Sequence, residues 1–466
     1  MKRGNEIELQ IESLAFGGRG VARFRDFVIF VNQALPGDLV RAKIFKKKKK
    51  HAEARVIELI KASPDRIDPP CPYFGACGGC KIQSLSYDKQ LYYKRQQVMD
   101  SLVRIGNFQD VEVLEALPSP DRIYYRNKME FSFCNRRWLL DSEIAQKEQV
   151  EDRDFALGLH AAGFFDKVVD LKSCLLQSEE SGRIVNHTRK YCLDHGLTPY
   201  NVRAHTGDFR FLMIREGKNT GGRMINIVTR NYQPQIVEPL AMSLMQAFPD
   251  TTSIVNNVTD NMGNVAFGDK EYLLYGESTI DEQLGENRFR ISANSFFQTN
   301  SVQTERLYDL VKELCEFDGT ELVYDLYAGT GSIGIFISDA VRQVIGFELI
   351  ESCVRDARAN ADLNHVQNCE FVTADLMNLA SYIPTKEKQP DVMIIDPPRA
   401  GMHPKTVQAV LDIAPRRIIH VSCNPATLSR DLEILCADRY RLNYVQPVDM
   451  FPHTGHVEVV VRLDRL

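Results

Sequence analysis

The sequence predicts a multidomain α/β protein: a small β-barrel first, a mostly β central part and a doubly wound α/β domain last. The length of 466 residues suggests about three domains, at ~150 residues each. The first sixty residues alternate short strands with glycine turns, whereas the chain after residue 300 alternates buried strands with helices. We therefore expect domains at 1–61, 62–290 and 291–466.

The first domain reads as five short strands, which is typical of a small barrel of the oligonucleotide-binding kind. It carries 14 basic and 7 acidic side chains, so its net charge is +7 while the rest of the chain carries −12. The run Lys46 to Lys50 falls in the connection before the last strand, where a barrel presents a loop to its ligand. A solvated lysine run is the alternative, but the position favours a nucleic acid.

A cysteine cluster follows a proline-rich linker. Cys71, Cys77 and Cys80 stand within ten residues, separated by glycines that let the backbone turn tightly. This density is typical of iron–sulfur or zinc ligation. A fourth ligand must come from elsewhere, and Cys134 and Cys174 are the nearest candidates in sequence. The chain has 11 cysteines and no secretory signal, so a disulfide scaffold is not expected.

The middle of the chain is the least informative part. One amphipathic helix is predicted over 85–107, which can pack on the last domain, and residues ~110–290 alternate strands with loops. No apolar run approaches the ~18 residues that cross a bilayer. The N-terminus is too polar for a secretory signal, so we expect a cytoplasmic protein without a membrane partner.

A glycine loop in the last domain indicates a cofactor. Gly329 and Gly331 follow a strand and open a helix, where a ligand can lie against the backbone. Glu348 ends the next strand and is positioned to accept hydrogen bonds from a ribose diol. Asp375 ends the third strand and can receive an adenine edge. The loop lacks the third glycine of dinucleotide sites, which favours S-adenosylmethionine.

Two further strands end in residues that can do chemistry. Asp396 precedes two prolines, a rigid shelf at a strand's carboxyl end, and Cys423 ends the next strand in Ser-Cys-Asn-Pro. Glu458 enters the last strand and can serve as a general base. A plain turn, a structural cysteine and an exposed acid are the respective alternatives. The convergence of these strand ends on one crevice favours catalysis.

These motifs together resemble the RNA uracil-C5-methyltransferase family, and within it the 23S ribosomal RNA branch with an N-terminal TRAM domain. The resemblance runs from SLAFGGRGVAR through CPYFGACGGC, SFFQTN, DLYAGTG, DPPRAG and SCNP to HVE. It implies a TRAM barrel that binds RNA, a central domain with an iron–sulfur loop, and a Rossmann-like methyltransferase domain.

The resemblance also implies roles for individual residues. A [4Fe–4S] cluster would be held by Cys71, Cys77, Cys80 and Cys174, because KSCLLQ matches the context of the fourth ligand and Cys134 has no such match. Cofactor contacts would come from Gln298, Tyr327, Glu348, Asp375 and Asp396. Cys423 matches the nucleophile and Glu458 the base, while Phe296 matches an aromatic that stacks on the target base, with Gln298 and Asp396 at the uracil edge.

The implied function is methyl transfer from S-adenosylmethionine to C5 of a uridine in 23S ribosomal RNA, through a covalent adduct between Cys423 and C6. Methylation of tRNA uracil is an alternative, although that branch usually lacks both the TRAM barrel and the cysteine cluster. A non-catalytic RNA-binding factor and an amino-group methyltransferase are less favoured, because Cys423 and Glu458 are both present. The sequence implies no oligomeric partner and does not identify the uridine.

Overall fold

The computed structural model describes residues 2–145, 152–263, 266–382 and 389–466. Its strands form four sheets within these residues: one near the N-terminus, one in the centre, a two-stranded hairpin and one in the C-terminal part. No helix in the described ranges combines the length and hydrophobicity that a membrane crossing needs.

The N-terminal sheet has six strands in the order β1-β5-β6-β4-β3-β2. They are β1 (Glu6–Gln10), β2 (Ser13–Ala15), β3 (Arg19–Phe24), β4 (Phe27–Asn32), β5 (Leu39–Lys47) and β6 (His51–Lys61). The five strands predicted here become six because the first stretch divides. The amide of Ile11 donates to Asp38 and that of Glu12 donates to Val21, so the chain changes partner strand between them. The lysine run ends β5 and leads into β6.

Helix α1 (Tyr87–Arg104) lies within the predicted 85–107 and is followed by the central sheet, whose order is β14-β13-β12-β11-β7-β9-β10-β8. Its elements are β7 (Lys128–Cys134), β8 (Arg137–Trp138), α2 (Asp141–Ala145), β9 (Ala156–His160), β10 (Val168–Asp170), α3 (Glu179–Asp194), β11 (Phe209–Glu216), β12 (Arg223–Thr229), α4 (Pro234–Ala247), β13 (Ser253–Val258) and β14 (Lys270–Gly276). Helices α3 and α4, which the sequence analysis does not predict, bury apolar side chains in the core of this sheet.

The C-terminal sheet has seven strands in the order β19-β18-β17-β20-β21-β23-β22, after the hairpin of β15 (Thr279–Leu284) and β16 (Asn287–Ser292). Its elements are α5 (Ser301–Cys315), β17 (Leu322–Leu326), α6 (Ser332–Ile337), β18 (Gln343–Glu348), α7 (Glu351–Leu363), β19 (Cys369–Thr373), β20 (Val392–Ile395), α8 (Pro404–Ile413), β21 (Arg417–Ser422), α9 (Pro425–Leu435), β22 (Tyr440–Val448) and β23 (Glu458–Arg465). Short 3₁₀ segments occur at Ser338–Ala340 and Leu376–Tyr382.

The topology brings several chain segments to one edge of this sheet. Strands β17 to β21 are parallel, whereas β23 runs antiparallel to β21, so β23 begins where its neighbours end. The predicted all-parallel sheet therefore carries an antiparallel pair at one side. Helix α1 packs on α9 and contributes Val98 and Leu102 to the core on one face of the sheet.

Candidate active site

The loop after β17 opens a gap beside the sheet. Tyr327, Gly329 and Gly331 all have positive φ, at 65°, 55° and 77°. A side chain added at Gly329 would meet no atom within 4 Å, whereas one at Gly331 would lie 2.6 Å from the ring of Phe371. Gly331 is thus required for the packing of the loop on its own core, and Gly329 faces the space that a ligand can occupy.

Acidic side chains surround this gap. Glu348, at the end of β18, accepts a 3.1 Å hydrogen bond from the amide of Gly329, which fixes the loop relative to the next strand. Asp375 follows β19 and accepts from the amide of Met377 at 3.0 Å. Burial raises the pKa of the Tyr327 phenol to about 12, and the carboxylate of Asp375 acts in the same direction. Glu348 thus contacts the glycine loop, and Asp375 lies close enough to Tyr327, in the same loop, to raise its pKa.

Asp396 lies at the end of β20 and is contacted by the segment before α5. The amide nitrogen of Gln298 donates to its Oδ2 at 3.3 Å. Burial raises the pKa of Asp396 to about 7 and that of the neighbouring Asp325 to about 8, and Asp396 further raises the second value. Buried carboxylates that lack a neutralising partner are stabilised by a nearby cation. The sulfonium group of a methyl donor carries such a positive charge.

Cys423 and Glu458 face each other across two antiparallel strands. Ser422 pairs with Val459, so the next residue of β21 and the preceding residue of β23 lie opposite at the edge of the sheet. Cys423 is partly exposed, whereas Glu458 is 5% exposed. A thiol and a carboxyl group are thereby held on adjacent rigid elements, an arrangement that covalent catalysis can use.

The electrostatics of this pair are set by burial and by neighbouring charges. Burial raises the pKa of the Cys423 thiol to about 12, and Glu458 and Asp396 add to the rise. Burial, assisted by Asp396, raises the pKa of the Glu458 carboxyl to about 8. The guanidinium of Arg399 lowers both values. The thiol is consequently protonated at neutral pH until a substrate changes its surroundings.

Phe296 is 60% exposed, although its neighbour Phe297 is buried in the core. The hydroxyl of Thr330, in the glycine loop, donates to the carbonyl of Phe296 at 3.5 Å. The exposed ring therefore lies next to the cofactor gap and offers a flat apolar surface to a base, as stacking sites do.

The four cysteines proposed as ligands line one cavity. Cys71, Cys77, Cys80 and Cys174 share this cavity with mainly apolar side chains. Burial raises the pKa of Cys77 to about 11 and of Cys80 to about 12, and the neighbouring thiols of Cys71 and Cys174 add to both rises. Cys134 does not line the cavity; its thiol donates to the carbonyl of Asp166.

The four thiols are not arranged as a metal centre in this structure. Within the described ranges, no group of three or more His, Cys, Asp or Glu side chains is close enough to hold a metal ion. The donor chemistry nevertheless fits an iron–sulfur cluster, because four thiols without disulfide partners surround one apolar space. Ligation by Cys71, Cys77, Cys80 and Cys174 therefore stays a proposal.

Three residues gain importance only from the structure. Asp325 is the acid at the centre of the sheet, and its Oδ1 has no hydrogen-bond partner. Arg399 is the cation of the crevice, and His456, whose pKa burial and Arg399 lower to about 4, lies close to it. The motifs DLYAGTG, DPPRAG and HVE contain or adjoin these residues, but a motif does not reveal which charges meet in space.

Comparisons with known proteins identify the family of this chain. The model of the tRNA (uracil-5-)-methyltransferase family matches residues 255–466, and a TRAM domain model matches residues 1–57. An uncharacterized RNA methyltransferase of Chlorobaculum tepidum is 45% identical, and the match covers 100% of this chain and 97% of the relative. One from Bacteroides thetaiotaomicron is 40% identical over 97% of this chain and 100% of the relative.

A solved structure is similar over almost the whole chain. The tRNA (uracil-54, C5)-methyltransferase of Pyrococcus abyssi, in complex with S-adenosyl-L-homocysteine, superposes with a TM-score of 0.76 and 30% sequence identity. The match covers 98% of this chain and 100% of that protein. A protein that acts on tRNA thus has a counterpart for nearly every part of this fold, so the presence of the N-terminal domain does not by itself distinguish ribosomal RNA from tRNA.

Proposed function

This chain belongs to the RNA uracil-5-methyltransferase family, and from that premise we propose that it methylates C5 of a uridine in 23S ribosomal RNA. Its methyl donor is S-adenosylmethionine, as the family and the S-adenosyl-L-homocysteine complex of its structural neighbour support. The observation that carries the proposed mechanism is the juxtaposition of Cys423 and Glu458 at the edge of the sheet that also bears the glycine loop.

The first step is nucleophilic attack. C5 of uracil is a weak nucleophile, so the Cys423 sulfur adds to C6, and the electron pair of the C5–C6 double bond moves into an enolate. Arg399 assists because it lowers the pKa of this thiol. When bound, S-adenosylmethionine would give its methyl group to the enolate carbon C5 and leave as S-adenosylhomocysteine. Glu348 and Asp375, beside the glycine loop, would help to hold it.

The second step restores the base. The Glu458 carboxylate removes the C5 proton, the C5–C6 double bond forms again, and the C6–sulfur bond breaks to release Cys423 as a thiolate. A base within a helix cannot contact a thiol and a methyl donor at once, so the uridine must be single-stranded or flipped out. Stacking on the exposed ring of Phe296 offsets part of that cost.

Uracil specificity is proposed for the edge formed by Gln298 and Asp396, which are hydrogen-bonded to each other at 3.3 Å. An amide donor can reach the O4 acceptor of uracil, whereas cytosine presents an amino donor at that position. The desolvated edge penalises an unmatched donor, so cytosine is rejected.

The feature that supports ribosomal RNA as the substrate is the group Cys71, Cys77, Cys80 and Cys174, which would hold a [4Fe–4S] cluster, because the 23S ribosomal RNA branch that the sequence resembles carries such a group. The cluster would order the segment between the N-terminal domain and the central sheet, since its ligands come from both sides of β7 to β10. When bound it would supply rigidity there.

A tRNA uridine is the second candidate, because the neighbour from Pyrococcus abyssi acts on tRNA and matches nearly the whole chain. The deciding experiment offers S-adenosylmethionine with a labelled methyl group to protein-free 23S ribosomal RNA and to tRNA, with wild type beside Cys423→Ala. We expect label as 5-methyluridine in ribosomal RNA and none with the variant. Label in tRNA alone would make tRNA the substrate in place of ribosomal RNA. No label in either RNA would contradict the proposal.

A further inference from the structure

The segment that leads into the proposed base is held by several parts of the molecule. Residues 449–457, here called the strap, connect β22 to β23 and end at Glu458. The strap has little regular structure, and His453 within it has a φ of 67°. Its conformation must therefore be fixed by contacts with other segments.

Those contacts come from several separate segments of the chain. The amides of Lys81 and Ile82, directly after the cysteine cluster, donate to the carbonyl of His453 at 3.0 and 3.1 Å. The Tyr125 hydroxyl, before the central sheet, donates to the Pro452 carbonyl at 3.1 Å. Two further bonds run from the Gly17 amide of the N-terminal domain to the Gly455 carbonyl and from the side-chain amide of Asn300, the N-cap of α5, to the Met450 carbonyl, each at 3.1 Å.

The strap is anchored at its start by a fully buried ion pair. The ammonium of Lys94, on α1, lies 2.5 Å from Oδ1 of Asp449, and both side chains are 0% exposed. Lys94 also donates to the Phe451 carbonyl at 3.0 Å, and Tyr87 of the same helix donates to Oδ2 of Asp449 at 2.9 Å. The Phe451 amide donates to Oδ1 of Asp449 at 3.2 Å. The polar groups at the start of the strap therefore find hydrogen-bond partners on α1 and within the strap itself.

Stability alone does not account for this pair. Removing two charges from water costs several kcal/mol per ion, and apolar residues of equal size often serve a fold equally well. A buried ion pair can instead specify one geometry, because any other arrangement leaves a charge unpaired. Here the geometry that it specifies is the path of the backbone into Glu458.

We infer that Lys94 and Asp449 are positioning residues for the Glu458 carboxylate. This inference rests on the proposed function, because it concerns the step in which Glu458 takes the C5 proton, the C5–C6 double bond forms and Cys423 leaves as a thiolate. Attack and methyl transfer use Cys423 and the glycine loop, which the strap does not carry. Displacement of the strap therefore slows release of the methylated base more than it slows methyl transfer.

The test measures the two steps separately in Lys94→Met and Asp449→Asn. Rapid quenching gives the rate at which labelled methyl enters RNA, and denaturing gels give the fraction of enzyme held as a methylated covalent adduct with RNA. Displacement of a catalytic group by about 1 Å can cost about 10²-fold. We expect release to slow by about tenfold or more in both variants, methyl entry to change by less than about threefold, and the adduct to accumulate.

A matched control breaks another buried pair. Arg66→Met removes the partner of Asp38, which is 0% exposed and lies 2.7 Å from Arg66 in the N-terminal part of the chain. This variant should lose stability without accumulating adduct. Equal slowing of both steps in Lys94→Met and Asp449→Asn, or behaviour like that of Arg66→Met, would overturn the inference alone. Failure of wild type to form 5-methyluridine would overturn the proposed function with it.

Discussion

The crevice and the cysteine cavity both contain partly buried thiols, but their surroundings differ. Cys423 lies with the carboxylates of Asp396 and Glu458 and the guanidinium of Arg399. The cavity of Cys71, Cys77, Cys80 and Cys174 is lined by apolar side chains and by no carboxylate. Burial raises the thiol pKa in both regions.

The difference shows how one residue type acquires two functions. In the crevice, the guanidinium of Arg399 offsets part of the cost of burial, so a thiolate can form transiently. In the cavity, only a bound cation can compensate four thiolates in an apolar space. The first arrangement suits a nucleophile that must leave again, and the second suits permanent ligands.

The sharpest test of this distinction is Glu458→Gln. Without a carboxylate to accept the C5 proton, turnover should fall by about 10²–10⁴-fold. Cys423 should still attack, so a covalent adduct with methylated RNA should accumulate and be visible as a band on a denaturing gel. The double variant Glu458→Gln with Cys423→Ala should show no such band. A normal turnover rate in Glu458→Gln would assign the proton to another base.

A smaller effect is expected from the cavity. Cys77→Ser should lower the iron content of protein purified without oxygen, since loss of one thiolate ligand weakens metal binding by about 10–100-fold or more. It should also lower the unfolding temperature, while methyl transfer per folded molecule is largely retained. Iron analysis, thermal unfolding and single-turnover rates measure the three quantities.

Cys134→Ser is the matched control for that experiment. Cys134 does not line the cavity, and a serine hydroxyl can donate to the Asp166 carbonyl as the thiol does. This variant should keep its iron and its stability. If Cys134→Ser lost iron and Cys77→Ser retained it, the proposed assignment of ligands would be wrong. If wild type contained no iron, the protein would have no iron–sulfur cluster.

The two regions also differ in how far sequence predicts them. The carboxyl ends of parallel strands meet at one edge of a sheet, so the sequence is enough to expect Asp396 and Cys423 in one crevice. Glu458 begins a strand, and it reaches the same edge only because β23 runs antiparallel to β21. The cysteine cavity joins residues far apart, and spacing left Cys134 and Cys174 open until the family resemblance favoured Cys174. In the structure Cys174 lines the same cavity as Cys71, Cys77 and Cys80, and Cys134 does not.

The pairing of Lys94 with Asp449 could not be predicted from the sequence either, because these residues are also far apart in the chain. Lys94 is a charged residue, yet it lies on the buried face of α1, where Asp449, more than 350 residues later, pairs with it. Helices α3 and α4 were missed because the central region was interpreted from its strands alone. Long-range pairing overrides local pattern in the first case.

The smallest effect concerns pH, and it tests the charges of the crevice directly. The pKa of Glu458 is raised to about 8 by burial and by Asp396, and that of Cys423 to about 12. Both groups react in the deprotonated form, so kcat/KM should rise with pH from 6 to 9 and bend near 8, where Glu458 finishes titrating. The measurement is kcat/KM for RNA across this range at constant ionic strength.

Two substitutions should move that bend in opposite directions. Arg399→Gln removes a cation that lowers the pKa of Glu458, so the bend should move to higher pH. Asp396→Asn removes a like charge, so the bend should move to lower pH even though absolute rates also fall. A shift of about one pH unit corresponds to about 1.4 kcal/mol of interaction with the carboxylate. If neither substitution moved the bend, the group that titrates would lie outside the crevice. Arg399 and Asp396 would then not be the charges that distinguish the crevice from the apolar cysteine cavity.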